Sequence, residues 1–171
     1  MGQYYKLIIL SESGDIIRAW AEPMYIKLME HSYQDTPFMN GVEYILSIKG
    51  MFYKSRIVWA GDYSDKKETD ENLYSLVNYE NPIHKNKMIT MTNTTIIQYI
   101  VNHSKKLYVD KTKEKDIHPL PLLVSEGNGK GGGDYYGHNE ELCGTWARDI
   151  ISMESTIPDG YMELLCHFNL P

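Results

Sequence analysis

The sequence predicts an α+β fold in a single domain spanning residues 1–171: a mainly antiparallel, curved sheet of about seven or eight strands with one or two packed helices. Three observations predict it. Short runs of β-branched and aromatic residues recur along the 171 residues, separated mostly by turn residues, so that neighbouring strands pair as hairpins. One segment alone carries a full set of helix signals: an N-cap, a proline and apolar residues at helical spacing. No linker and no repeat of fixed period divides the chain, whose length suits one continuous core.

The elements follow in order. "YYKLIIL", "SESG" and "DIIRAWAE" read as strand, turn and strand, with Gly14 in the turn. "AEPMYIKLMEHSYQDT" is ambiguous: Pro23 interrupts it, Ile26 and Leu28 alternate like a strand, and Leu28 with Met29 would equally open a helix. Thr36 is placed as an N-cap, Pro37 as the first helical residue, and Phe38, Val42, Ile45 and Leu46 recur on one face until Gly50. "FYKSRIVWAGDY" predicts a strand from Phe52 to about Ala60, and "SDKKETDEN" a charged loop entering a short helix or turn at "NLYSLV". "IIQYIVNHSKKLYVDK" is the clearest hairpin, with "NHSKK" as its connection. "PLLV" predicts a strand leading into a glycine-rich segment. Beyond that segment, "TWARDIISMES" and "YMELLCHFNL" predict two antiparallel strands joined by "TIPDG".

Composition bounds the function. Hydrophobic residues at 42% and charged residues at 23% support a packed core and exclude extended disorder. Tyrosine dominates the aromatics, 14 against 3 Phe and 3 Trp, and its apolar face with a wettable hydroxyl suits sheet surfaces and binding surfaces alike. Cys143 and Cys166 lack metal-ligand spacing and read as reduced thiols of a cytoplasmic protein. The apolar run in "MGQYYKLIIL" is too short to span a membrane, and Lys6 stands where a myristoylation signal needs Ser or Thr. The net charge of −6 is unevenly spread. Residues 85–115 hold seven Lys/Arg and two Asp/Glu, whereas residues 116–171 hold two and nine, a segregation that marks a charged partner or a solvated hairpin edge.

The glycine-rich segment is the most distinctive candidate site. In "EGNGKGGG", Gly127, Gly129 and Gly132 satisfy G-x-G-x-x-G, but no helix opens after them to meet a pyrophosphate. Lys130 is followed by Gly131 where a P-loop needs Ser or Thr. What remains is an anion-binding nest of main-chain amides assisted by Lys130, or a flexible loop that meets a partner. The candidate ligand- or partner-binding residues are Gly127, Asn128, Gly129, Lys130, Gly131, Gly132, Gly133, Asp134, Tyr135 and Tyr136. Glu126 and Asp134 flank the segment with negative charge, which disfavours phosphate. On the basic hairpin, Tyr99 and Tyr108 would stack single-stranded bases while Lys105, Lys106, Lys111 and Lys113 meet phosphates. His31, His84, His103, His118, His138 and His167 show no metal-ligand spacing and read as surface histidines. "CGTW" places Cys143 like a thiol nucleophile, yet the only later histidine, His167, falls on a predicted buried last strand. No catalytic set, metal or cofactor is expected.

"YKSRIVWAGDYSD", "YIVNHSKKLYVDK" and "HPLPLLVSEGNGKGGGDY", with "LMEHSY" and "GTWARDIIS", resemble a family of small phage and mobile-element proteins without an assigned activity. That resemblance covers most of the chain and carries no functional residues across. It implies a setting in which small acidic proteins act by binding a host protein or sequestering a signalling molecule. The expected function is a non-enzymatic protein that occludes a host protein or protein complex. The alternatives are a phosphate-bearing small molecule, a nucleotide or cyclic oligonucleotide sequestered by the glycine-rich segment, and single-stranded nucleic acid.

Overall fold

The computed structural model describes residues 3–64, 72–78, 97–127 and 133–169. The first hairpin forms as the sequence predicts: β1 (Tyr5–Leu10) pairs antiparallel with β2 (Ile17–Ala21), and Gly14 turns between them at φ +84°. All six residues of β1 are buried, because the sheet is covered on both faces here and the strand has no solvent side. After β2 the ambiguous segment resolves into a single helical turn, α1 (Leu28–His31), and then α2 (Pro37–Ile45). Thr36 caps α2 by accepting from the Met39 amide at 3.2 Å. This helix stops short of Gly50, since the carbonyls of Ile45 and Leu46 accept instead from the amides of Phe52 and Met153.

β3 (Ser55–Gly61) lies antiparallel to β1 along its whole length. Its other edge is shared: β7 (Ile150–Glu154) pairs with its first two residues, and β6 (Ser125–Glu126) pairs in parallel with Trp59 and Ala60. The predicted basic hairpin is present as β4 (Tyr99–Asn102) and β5 (Leu107–Asp110), and β4 joins β7. The result is one open, mostly antiparallel sheet in the order β2-β1-β3-β7-β4-β5-β8, with β6 beside β3. It is an α+β fold.

A larger core on one face packs Leu7, Ile9, Ile57, Trp59, Ile100 and Met153 under Met39, Val42 and Ile45 of α2. On the other face, a smaller core of Ile8, Leu10, Trp20, Val58 and Ala60 is closed by Val77, Leu73 and Tyr74 around α3 (Leu73–Leu76). Asn72 caps α3 on the Ser75 amide at 3.0 Å.

Three expectations are corrected. "PLLV" lies in a helical turn, α4 (Pro119–Leu123), with only Ser125 and Glu126 extended. His118 accepts from the Leu120 amide at its N-terminus, and Pro119 at the first position has no N–H to lose; a short apolar run buried on every side has no period to reveal its type. The last strand, β8 (Met162–Glu163), lies parallel to β5 and does not form a hairpin with β7. Both edges of β7 are already occupied by β3 and β4, so residues 155–161 carry the chain to the free edge of β5. The described residues hold four α-helical segments, not one or two, because α1, α3 and α4 are single turns fixed by local caps and packing. Among the described residues no helix is long and apolar enough to cross a membrane.

Candidate functional site

One end of the sheet gathers the start of β1 with the ends of β2, β3 and β6, and both ends of the glycine-rich segment meet it there. Glu126, the last residue of β6, takes a two-pronged ion pair from Arg148, at 2.7 Å from Nε and 2.6 Å from Nη2. On the returning side Gly133, at φ +59°, lies against the ring of Tyr5; a Cβ there would sit 2.8 Å from the ring. Asp134 next accepts from the Met29 amide at 3.1 Å. Tyr135 turns inward, donates to the His138 carbonyl at 2.6 Å and meets Phe168 edge-on, which takes it out of any contact surface. Asn128, Gly129, Lys130, Gly131 and Gly132 lie outside the described residues. Of the predicted candidates, Gly127 begins the segment and Tyr136 stands exposed beside it.

Backbone contacts bring further tyrosines to this end. Tyr4 and Asp62 exchange two bonds of 3.0 Å, amide to carboxylate and amide to carbonyl. Tyr4 also bridges to Lys27, and the Tyr5 amide bonds Ile26. Met24, Tyr25, Tyr63 and Tyr136 are each more than half exposed, Met24 most at 82%. Isolated exposed apolar side chains are ordinary, but these four, with Tyr4, stand on segments that the main-chain bonds gather at one end of the sheet. Sequence reasoning missed Tyr4, Tyr25 and Tyr63: the signal was the tyrosine excess, but nothing in their spacing shows that three separate segments meet.

The four lysines of the basic hairpin fare differently. Lys105 pairs with Asp149, Lys113 with Glu163, and Lys111 is buried against Glu43. Lys106 occupies the turn at φ +54°. Tyr99 and Tyr108 share a face but contact each other edge-to-face, with centroids 5.7 Å apart. Beside them runs a hydrogen-bonded relay: Tyr53 donates to Glu154, Ser152 donates to the same oxygen at 2.9 Å, and His103 meets Ser152 at 2.7 Å and Tyr161 at 2.9 Å. Burial and then the Lys54 charge hold His103 below the usual histidine range. The arrangement places a histidine beside a serine, as a hydrolase would. Ser152, however, is fully buried and its proton is committed to Glu154, so the relay fastens β4 and β7 to the chain on either side.

Two histidines expected at the surface are core residues. His31 donates from Nδ1 to the Tyr25 carbonyl at 2.7 Å and accepts the Trp59 indole N–H at Nε2, 2.8 Å away. Burial pushes it down to about 4, against weaker upward effects of backbone hydrogen bonds and of Asp134 and Glu30. His118 accepts from the Leu120 amide, so its Nε2 carries the proton donated to Glu43 at 3.0 Å, and burial lowers its basicity. Burial alone would raise Glu43, but the His118 bond and charge and then Lys111 outweigh it and keep the carboxyl ionised. His167 is the opposite correction: its ring is exposed, facing Glu114, and belongs to no strand, while Cys143 is buried. Among the described residues no group of three or more His, Cys, Asp or Glu is placed to hold a metal.

In comparisons with known proteins, the chain matches no family model, no curated protein and no solved structure.

Proposed function

We propose that this protein is a non-enzymatic binding protein that occludes a partner macromolecule through the tyrosine-rich end of its sheet. The observation that carries this is the gathering at one end of the sheet of segments that expose Tyr4, Met24, Tyr25, Tyr63 and Tyr136 and are themselves held by main-chain bonds and by the anchors of the glycine-rich segment. Tyrosine contributes large contact area with few rotatable bonds, so a patch on a rigid frame loses little entropy when covered. The resemblance to phage and mobile-element proteins makes the partner a host protein or protein complex, met in the host cytoplasm. Binding of nucleic acid is less favoured because Lys105, Lys111 and Lys113 are each matched by a carboxylate. A phosphate-bearing ligand in the glycine-rich segment would meet the negative charge of Asp134 beside it.

The test is affinity capture from host lysate, with and without nuclease, using the wild type and the triple variant Tyr25→Ser, Tyr63→Ser, Tyr136→Ser. A partner protein retained in stoichiometric amount after nuclease, and weakened about 30-fold or more by the triple variant at unchanged melting temperature, is expected, since two or more contact residues of this kind contribute at least ~2 kcal/mol. An empty capture, or a partner held equally by the variant, overturns the proposal.

A further inference from the structure

The same end of the sheet carries more than aromatic surface. Glu22 follows β2, Asp62 follows β3, Glu30 lies in α1 and Asp134 closes the glycine-rich segment. Three of these carboxylates are pinned by main-chain amides of the segments that bear the tyrosines: Asp62 by Tyr4 at 3.0 Å, Glu30 by Lys27 at 3.2 Å and Asp134 by Met29 at 3.1 Å. A hydrogen bond from a main-chain amide fixes a carboxylate in place without pairing it with a cation.

No described Lys or Arg pairs with any of the four. Elsewhere, Glu43, Glu126, Asp149 and Glu163 each face a cation. Among the described residues, two cations do belong to the neighbourhood. Lys27 lies on the segment itself, and Lys6 is held under Tyr74, its ammonium 4.0 Å from the ring centroid and donating to the Val77 carbonyl at 2.7 Å. Among the described residues, four carboxylates thus stand against one half-buried lysine and one committed inward. Two phenols register the resulting field: after burial, Glu22 and Asp62 raise Tyr74, and Asp134 and Asp62 raise Tyr5.

We infer that the macromolecule received by this end presents a basic, arginine-bearing protein surface, whose guanidinium groups lie on the exposed tyrosine rings and pair with Asp62, Asp134, Glu22 and Glu30. The inference rests on the occlusion role proposed above and names the chemistry of the partner. Guanidinium fits because one planar group stacks on an aromatic face and forms a fork with a carboxylate, which an ammonium cannot do. A polyanion or an anionic membrane is repelled by the same four charges. A small cation such as a polyamine would leave most of Met24, Tyr25, Tyr63 and Tyr136 uncovered, whereas a folded partner spans them. A second copy of the chain is a poor occupant, because three of its hairpin lysines are already neutralised.

The experiment uses the full chain and a fluorescent peptide of alternating arginine and glycine, with its lysine counterpart as control, followed by anisotropy. Saturable binding is expected at low salt, weaker by about tenfold or more near 0.3 M salt, and weaker for the lysine peptide. The variant Glu22→Gln, Asp62→Asn, Asp134→Asn keeps oxygen acceptors for the pinning amides and removes the charge; it should lose at least about tenfold in affinity. Glu163→Gln, at the far edge of the sheet, should bind as the wild type does. Absence of saturable binding up to about 1 mM peptide, or equal losses in the two variants, overturns the inference. So does a self-associated species in light scattering that the triple charge variant dissolves, which would make the occupant a second copy. If a captured partner still depends on Tyr25, Tyr63 and Tyr136 but not on the carboxylates, the basic-partner inference falls while the occlusion role stands. If it depends on neither, both fall.

Discussion

At the scale of single residues, the pair His31 and Trp59 shows how a titratable side chain becomes part of a core. His31 is neutral with both ring nitrogens satisfied, so a second proton would displace the Trp59 N–H and charge a buried ring. The unfolded chain binds this proton near 6.5 and the folded chain only near 4. Stability is therefore complete above about pH 6.5 and falls as pH drops through that window, by at most ~3 kcal/mol from this group. His118, also lowered by burial, acts in the same direction. Urea midpoints measured from pH 7.5 to 4.5 should fall, and an NMR titration should leave the His31 ring neutral until near pH 4. A ring titrating close to 6.5 in the folded protein would contradict the geometry. Gly133 makes a different single-residue demand: Gly133→Ala combines a left-handed φ with a Cβ 2.8 Å from the Tyr5 ring, and should cost about 1–3 kcal/mol in chemical denaturation.

At the scale of elements, Glu43, Lys111 and His118 tie α2 to the turn after β5 and to the start of α4, all three side chains buried. Lys111→Met strands an ionised Glu43 and should cost about 3–5 kcal/mol, whereas Lys111→Met with Glu43→Leu should recover much of that loss. A double variant no better than the single one would show that the helices are not joined through this charge pair. These elements also show what a sequence can disclose. Thr36 and Pro37 announce α2 because a cap and an N1 proline act within one turn, and "NHSKK" announces the β4–β5 hairpin for the same reason. His118 and Pro119 mark α4 with the same grammar, but the surrounding apolar residues drown it. β8 was illegible for another reason: its partner is chosen by which strand edge remains vacant, a property of the assembled sheet.

At the scale of the whole molecule, the fold class follows from local patterns, while the strand order and the candidate surface depend on contacts between distant segments. Tyr4, Tyr25 and Tyr63 are three unremarkable tyrosines until the β1–β3 pairing, the Asp62–Tyr4 bonds and the Tyr4–Lys27 bridge bring their segments to one end of the sheet. The buried carboxylate at Glu43 and the interior positions of His31 and His118 are legible only once their partners are in place. The position of β7 has a further consequence. Among the described strands it alone pairs with both β3 and β4, and so it splices β2-β1-β3 to β4-β5-β8. During translation at ~5–20 residues per second, the β2-β1-β3 sheet and the β4–β5 hairpin emerge several seconds before the splice does, each with an open strand edge prone to adhere to other nascent chains. A chain stopped at residue 148 should therefore aggregate or unfold without a cooperative transition, while one released after the splice should not. For this protein, the dangerous interval in its making is the wait for residues 150–154.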